Sequence, residues 1–175
     1  MPSSCRARVM VVDDDRVFRN LLATVLRREY LVSVASNGAE AYRKACEHPP
    51  QLLVIDIQMP GWDGLQTLKA FRDHPALAHA GVIVLTSDTS RKTVEAAIRA
   101  GADEYVLKSS FSTSEFLLKI GQLRRRVEAG QLRRYAAAMG NTTPAPNGGV
   151  PLIPAAPAGN TEAERRLQEV LDSWE

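Results

Sequence analysis

Apolar runs of β type recur along the first two thirds of the chain, at residues 9–12, 31–35, 52–55, 82–85 and 105–107. Between them the spacing of apolar residues changes to that of helices. Val17, Leu21, Leu22, Val25 and Leu26 share one face of a 3.6-residue repeat. Leu65, Leu68 and Phe71 follow the third run, and Val94, Ala97 and Ile98 follow the fourth. Gly38–Glu47 is a weaker helix carried by Ala41, Tyr42 and Ala45, and Phe116, Leu117, Ile120, Leu123 and Val127 mark a last one. Strands that are apolar almost throughout, alternating with helices, predict a parallel sheet covered on both faces. Five such units in about 120 residues predict a compact α/β sandwich.

The pattern changes after residue 139. Residues 140–160 hold the stretch "GNTTPAPNGGVPLIPAAPAG", which has too few anchors for a core and reads as a linker. Residues 161–175 then predict a short amphipathic helix, with Thr161 and Glu164 as a capping box and Leu167, Val170 and Leu171 as its apolar stripe. That helix fits the start of a further output domain. The main domain is expected over residues 7–127, its final helix extending to about 139. Leu132, Tyr135 and Met139 form a second short stripe there, suited to a homodimer, although Gly121 and Gly130 each cost a helix ~1 kcal/mol.

Composition narrows the function classes. With 45% apolar and 24% charged residues the chain is globular in type, and a net charge of +2 is too small to argue for nucleic acid. Charge is unevenly spread, however: residues 112–139 carry +4 and residues 161–175 carry −3. The "RRR" at 124–126 reads as a solvated helix face, and no helix-turn-helix pattern follows to bind DNA directly. Cys5 and Cys46 lack metal-ligand spacing, as expected of thiols in a reducing compartment. No apolar run approaches the ~20 residues that cross a membrane, so the cytoplasm is the expected location.

The candidate chemistry lies where apolar runs end in polar residues. Asp13 and Asp14 close the first run, and Asp56 closes the third within "LVIDIQMPGWDG". In parallel α/β sheets ligands collect beyond the C-terminal ends of strands. If the first and third strands are neighbours, three carboxylates converge, and a hard cation such as Mg²⁺ answers their charge. Asp15 is a better helix cap than a ligand. A turn at Pro60 and Gly61 follows Asp56 at once. The fourth run ends in Thr86 and Ser87, and the fifth in Lys108. Taken singly, these are a turn hydroxyl and a snorkelling lysine. Taken together, a metal, a hydroxyl and an ammonium around one carboxylate suit phosphoryl transfer.

The order Asp-Asp, then "DIQMPGWDG", then Thr-Ser, then Tyr-X-X-Lys resembles the receiver domain of two-component response regulators, of the chemotaxis-regulator type, over residues 7–127. The resemblance implies a flavodoxin-like (βα)5 doubly wound sheet of strand order 2-1-3-4-5. It implies that Asp56 is a phosphoacceptor served by a sensor histidine kinase or phosphotransfer protein. Asp14 would bind Mg²⁺ directly, Asp13 through water, and the Gln58 backbone carbonyl would be a further ligand. Lys108 would pair with the phosphoryl oxygens. Thr86, with Ser87 beside it, would turn inward, and Tyr105 would swing with it. The surface of the fourth helix, fifth strand and fifth helix would then be remodelled for a downstream protein or output domain. Such a chain is a signalling protein rather than an enzyme, with only its own phosphorylation and dephosphorylation as chemistry.

One departure qualifies the likeness. Receivers usually carry a proline after the lysine, often on a cis bond, where this chain has Ser109. A cis bond before a residue other than proline costs ~2.5–4 kcal/mol, so a trans bond, a different loop path and weaker switching are expected. Gln58 and Asp88 occupy the places that tune phosphoryl lifetime in the family. Two other readings stand beside the first. One is a pseudo-receiver, a binding module that keeps the fold without being phosphorylated. The other is an aspartate-nucleophile phosphatase, which counts on a second aspartate where Gln58 stands.

Overall fold

The computed structural model describes residues 6–140 of the 175-residue chain; Cys5, the linker from 141 on and the expected helix at 161–175 lie outside the described residues. Five strands, β1 (Arg8–Val12), β2 (Leu31–Ala35), β3 (Leu52–Asp56), β4 (Gly81–Thr86) and β5 (Glu104–Leu107), alternate with five helices. These are α1 (Arg16–Leu26), α2 (Gly38–Glu47), α3 (Gly64–Asp73), α4 (Arg91–Arg99) and α5 (Thr113–Gly140), with one 3-10 turn at Lys108–Ser110. All strand pairs are parallel and the order is β2-β1-β3-β4-β5. The expected doubly wound sheet is present.

Alternation along each strand sorts the core into two layers. Val9, Val11, Leu52, Val54, Ile83 and Leu85 pack against α1 and α5 through Leu22, Leu26, Phe116, Ile120 and Leu123. Met10, Val12, Leu53, Ile55, Val82 and Val84 pack on the other side against Ala41, Ala45, Leu68, Phe71 and Ala97 of α2, α3 and α4. Both sides of the central strands are therefore dry, which explains their unbroken apolar runs.

The first four helix starts are chemically marked. Asp15, Asn37, Asp63 and Ser90 cap α1 to α4 by accepting backbone N–H groups, and Asp63 forms a reciprocal capping box with Gln66. The inward face of α1 departs from the expected stripe. Val17 is 78% exposed and Leu21 43%, while Leu22, Ala23 and Leu26 are buried and Phe18 packs against the same layer. The Asp15 carboxylate ties this first turn by accepting the amides of Val17 and Phe18. Arg19 adds a second tie by donating to the carbonyls of Asp13 and Asp14.

Arg72 pins the far end of the sheet. Its guanidinium donates to Ala78 O at 2.8 Å, Ala80 O at 2.7 Å and Gly101 O at 2.6 Å, and it pairs with Asp103 at 3.4 Å. Asp103 in turn accepts the Val82 amide at 2.9 Å.

Helix α5 passes through Gly121 and Gly130 unbroken. The chain divides into one compact unit ending at Val127 and another beginning at Glu128. In the first, Arg126 pairs with Glu104 at 2.7 Å, Arg124 lies over the Tyr30 ring, and Arg125 is exposed, so the basic run is a helix surface. In the second, Leu132, Tyr135 and Met139 are exposed. Among the described residues no helix is long and apolar enough to cross a membrane.

Candidate functional site

Sheet register builds the site. Val12 lies beside Ile55, so the residues that follow, Asp13 and Asp56, stand level on adjacent strands. Thr86 pairs with Leu107, which puts Lys108 just past Thr86 at the same edge. Parity does the rest: Asp13, Asp56 and Lys108 continue the set that faces α1 and α5, whereas Thr86 continues the Val82–Val84 set on the other side. Tyr105, half-buried, pairs with Val84 and packs on that second side.

The loop after Asp56 is shaped by contact. Gly61 has φ of +79°, a conformation that side chains disfavour. Gly64 lies so close to the end of β3 that an added Cβ would sit 2.2 Å from the Asp56 carbonyl oxygen. The turn folds back onto the strand because residue 64 has no side chain.

Asp13 and Asp56 are buried, at 0% and 4% exposure, while Asp14 is exposed. Lys108 Nζ donates to Asp56 Oδ2 at 2.7 Å and lies 2.8 Å from Asp13 Oδ2. The remaining oxygens are served by the backbone: Asp13 Oδ1 accepts Asp15 N at 2.9 Å, and Asp56 Oδ1 accepts Gln58 N at 3.1 Å. Despite the missing proline, the lysine therefore reaches both acids, and no peptide bond among the described residues is cis. Ser109 and Ser110 sit exposed in the 3-10 turn, and Ser87 is exposed beyond β4.

Positive charge is short in this cluster. Burial pushes the Asp13 carboxyl above its ordinary value; the Lys108 ammonium and the Asp15 amide pull the other way without cancelling it, and the Asp56 charge adds to the rise. Burial works against the Lys108 ammonium as well, but its close pairing with the Asp13 and Asp56 carboxylates outweighs it and holds the lysine above its usual range. The ammonium shared by two acids stabilises its own charge better than it satisfies that of Asp13.

The same shortage tests whether a divalent cation fits. Carboxylate oxygens of Asp13, Asp14 and Asp56 lie within 4.8 Å of one another. Asp13 Oδ2 is buried and, although beside Lys108, accepts no aligned hydrogen bond. Three carboxylates and one ammonium leave two negative charges, the amount a small divalent cation with oxygen ligands balances. The residues present fit Mg²⁺.

Thr86 is buried, and its hydroxyl accepts the Asp88 amide at 3.0 Å. The Asp88 carboxylate is taken up at the start of α4, accepting Ser90 N at 2.7 Å, Ser90 Oγ at 3.0 Å and the Thr93 hydroxyl. Those bonds, Thr93 first, hold its carboxyl below the usual carboxylate range.

Two residues in contact with the site carried no sequence signal of a role. Arg19 binds backbone carbonyls, which any residue supplies. Phe18 stood off the expected stripe of α1, although Phe18, Leu22 and Leu26 also share a helical face.

Residues 9–120 match the response regulator receiver domain family. The chain is 37% identical over 128 residues to the transcriptional regulatory protein KdpE of Mycobacterium tuberculosis, covering 72% of this chain and 55% of that protein. It is 34% identical over 127 residues to the transcriptional regulatory protein ResD of Bacillus subtilis, covering 72% and 51%. The chain thus spans about half the length of these curated relatives. Among solved structures, a putative response regulator from Chloroflexus aurantiacus superposes with a TM-score of 0.65 at 29% identity, over 68% of this chain and 98% of that one. The chemotaxis protein CheY4 of Vibrio cholerae gives 0.64 at 26% identity, over 67% and 98%. Sheet order, the acids at the ends of β1 and β3, and the lysine beyond β5 thus occur in a chain that belongs to the response regulator receiver domain family.

Proposed function

We propose that Asp56 accepts a phosphoryl group from the phosphohistidine of a sensor histidine kinase or phosphotransfer protein, making the chain a phosphorylation switch in two-component signalling. The observation that carries this reading is the convergence of Lys108 and Asp13 on a buried Asp56 at the open end of the sheet.

In the transfer, an Asp56 carboxylate oxygen forms a bond to phosphorus as the P–N bond of the donor breaks, and the leaving imidazole takes the electron pair and a proton. The transition state spreads charge over the phosphoryl oxygens, so catalysis is positioning and charge neutralisation. Lys108, already on Asp56 Oδ2, supplies one cation. Asp13, Asp14, Asp56 and the Gln58 carbonyl would hold Mg²⁺, which when bound supplies further positive charge to those oxygens. Thr86, whose hydroxyl donates to the Asp88 carbonyl at 3.4 Å, redirects that proton to the phosphoryl group, and Tyr105, on the same side of the sheet, follows. The surface of α4, β5 and α5 then presents a changed face to a partner protein or output domain. The chemistry is that of a phosphoacceptor in the cytoplasm, acting on itself alone.

Intact mass after incubation with acetyl phosphate tests the reading. One added phosphoryl group is expected in wild type with Mg²⁺, and none in Asp56→Asn or without Mg²⁺. An unmodified wild type that nonetheless binds Mg²⁺ would make the chain a pseudo-receiver.

A further inference from the structure

Lys108 must be aimed without help from a proline. It heads a 3-10 turn that has no side-chain cap hydrogen bond, followed by exposed Ser109 and Ser110. Its four-carbon stem is flexible and loses rotamer freedom when held. Yet the ammonium sits 2.7 Å from Asp56 and 2.8 Å from Asp13.

A third contact is aromatic. Lys108 Nζ lies 5.0 Å from the ring centroid of Phe18, within the reach of a cation–π interaction. Phe18 is held edge-to-face by Phe111, with centroids 5.1 Å apart and planes at 74°. Phe111 rests in turn on buried Phe116 at 5.5 Å. The rings tie α1, the segment after the 3-10 turn and α5 into one wall beside the lysine.

We infer that Phe18, backed by Phe111, is a positioning residue for Lys108, its ring face seating the ammonium where other receivers rely on the proline. The inference rests on the phosphoacceptor reading and adds to it. Of the three contacts, only the ring keeps its character through the transfer. Asp56 becomes an acyl phosphate, and Asp13 is called on by the cation. A seat whose charge does not change keeps the ammonium in place while its partners do. The start of α1 accordingly delivers two things at once, the acids just before it and the ring in its first turn.

The test compares the full chain with Phe18→Leu, which keeps apolar bulk, and Phe18→Tyr, which keeps an aromatic face. In wild type the ε-methylene protons of Lys108 are expected upfield of ordinary lysine values, shifted by the ring. The shift is expected to vanish in Phe18→Leu and persist in Phe18→Tyr. Phosphorylation by acetyl phosphate at saturating Mg²⁺ is expected to slow about three- to tenfold in Phe18→Leu, the rate equivalent of one cation–π contact. Phe18→Tyr is expected to stay near wild type, and Mg²⁺ affinity by calorimetry to hold in both. Absence of the upfield shift in wild type overturns the inference, and this readout needs no variant to fold. So does a wild-type rate in Phe18→Leu, or a Phe18→Tyr as slow as Phe18→Leu, which would mean packing alone. A wild type that takes no phosphoryl group, with the ring shift present, overturns the phosphoacceptor reading and the positioning role together.

Discussion

Lys108 and Asp56 are 52 residues apart along the chain and 2.7 Å apart at the edge of the sheet. Asp13 draws on the same ammonium, so a single cation serves two buried carboxylates. Removing it in Lys108→Ala is expected to destabilise the fold by about 2–3 kcal/mol, because buried charges lose their partner. Denaturant unfolding in the presence of a chelator would read this loss. Added Mg²⁺ should restore part of it, and an unchanged midpoint in chelator would contradict the electrostatic account.

Mg²⁺ should stabilise the wild type by mass action. At one hundred times its dissociation constant, a ligand bound only to the folded state contributes about 2.7 kcal/mol. The melting temperature is expected to rise with Mg²⁺ accordingly. Asp13→Asn and Asp56→Asn should shrink the rise, since each removes a charge from the cluster. A rise of full size in both variants would place the ion elsewhere.

Gly64→Ala tests the turn after the phosphoacceptor candidate. The new methyl group would press on the Asp56 carbonyl oxygen, and backbone cannot step aside as a flexible side chain can. A loss of about 1–3 kcal/mol is expected, with slower phosphorylation among the molecules that remain folded. Calorimetry and the mass assay read the two effects separately.

A pH prediction comes from Glu40. Its carboxylate accepts Lys44 Nζ at 2.7 Å and both the amide and hydroxyl of Ser36 at 2.8 Å. Lys44 first, then the Ser36 amide, lower its pKa from 4.5 to about 2. A lowered folded-state pKa gives stability that is complete above the unfolded value of 4.5 and is lost as pH falls towards 2. The side chain is 30% exposed, so solvent screening leaves about 1 kcal/mol. Glu40→Gln should lose that amount at neutral pH and flatten the acid limb of a stability–pH curve. Parallel curves for the two proteins would refute the assignment.

The central strands β1, β3 and β4 were legible because a strand buried on both faces must be apolar along its whole length, and each of the five expected runs lies within an observed strand. The candidate acids and the lysine stood out because they end such runs, where a polar residue has a reason to be. What escaped notice did so for separate physical reasons. Arg19 and Arg72 act on backbone carbonyls, which leave no mark on residue type. Phe18 is one apolar residue among others in a helix that offers more than one apolar face. Ser109 suggested a different loop path, because a missing proline is visible in a sequence and a ring from another helix is not.

The alternation of β3 and β4 has a consequence for traffic through the molecule. Asp56 opens toward α1 and α5, while Thr86 and Tyr105 belong to the side of α2 to α4. The sheet is a partition between them, and on the proposed reading news of phosphorylation at Asp56 would have to go round its rim. Two chains of contacts run there: from Thr86 through Asp88 into the first turn of α4, and from Lys108 through Phe18 and Phe111 to Phe116 on α5. A partner touching only one of these helices would hear only one of the two messages, so substitutions at Asp88 and at Phe111 should silence different listeners.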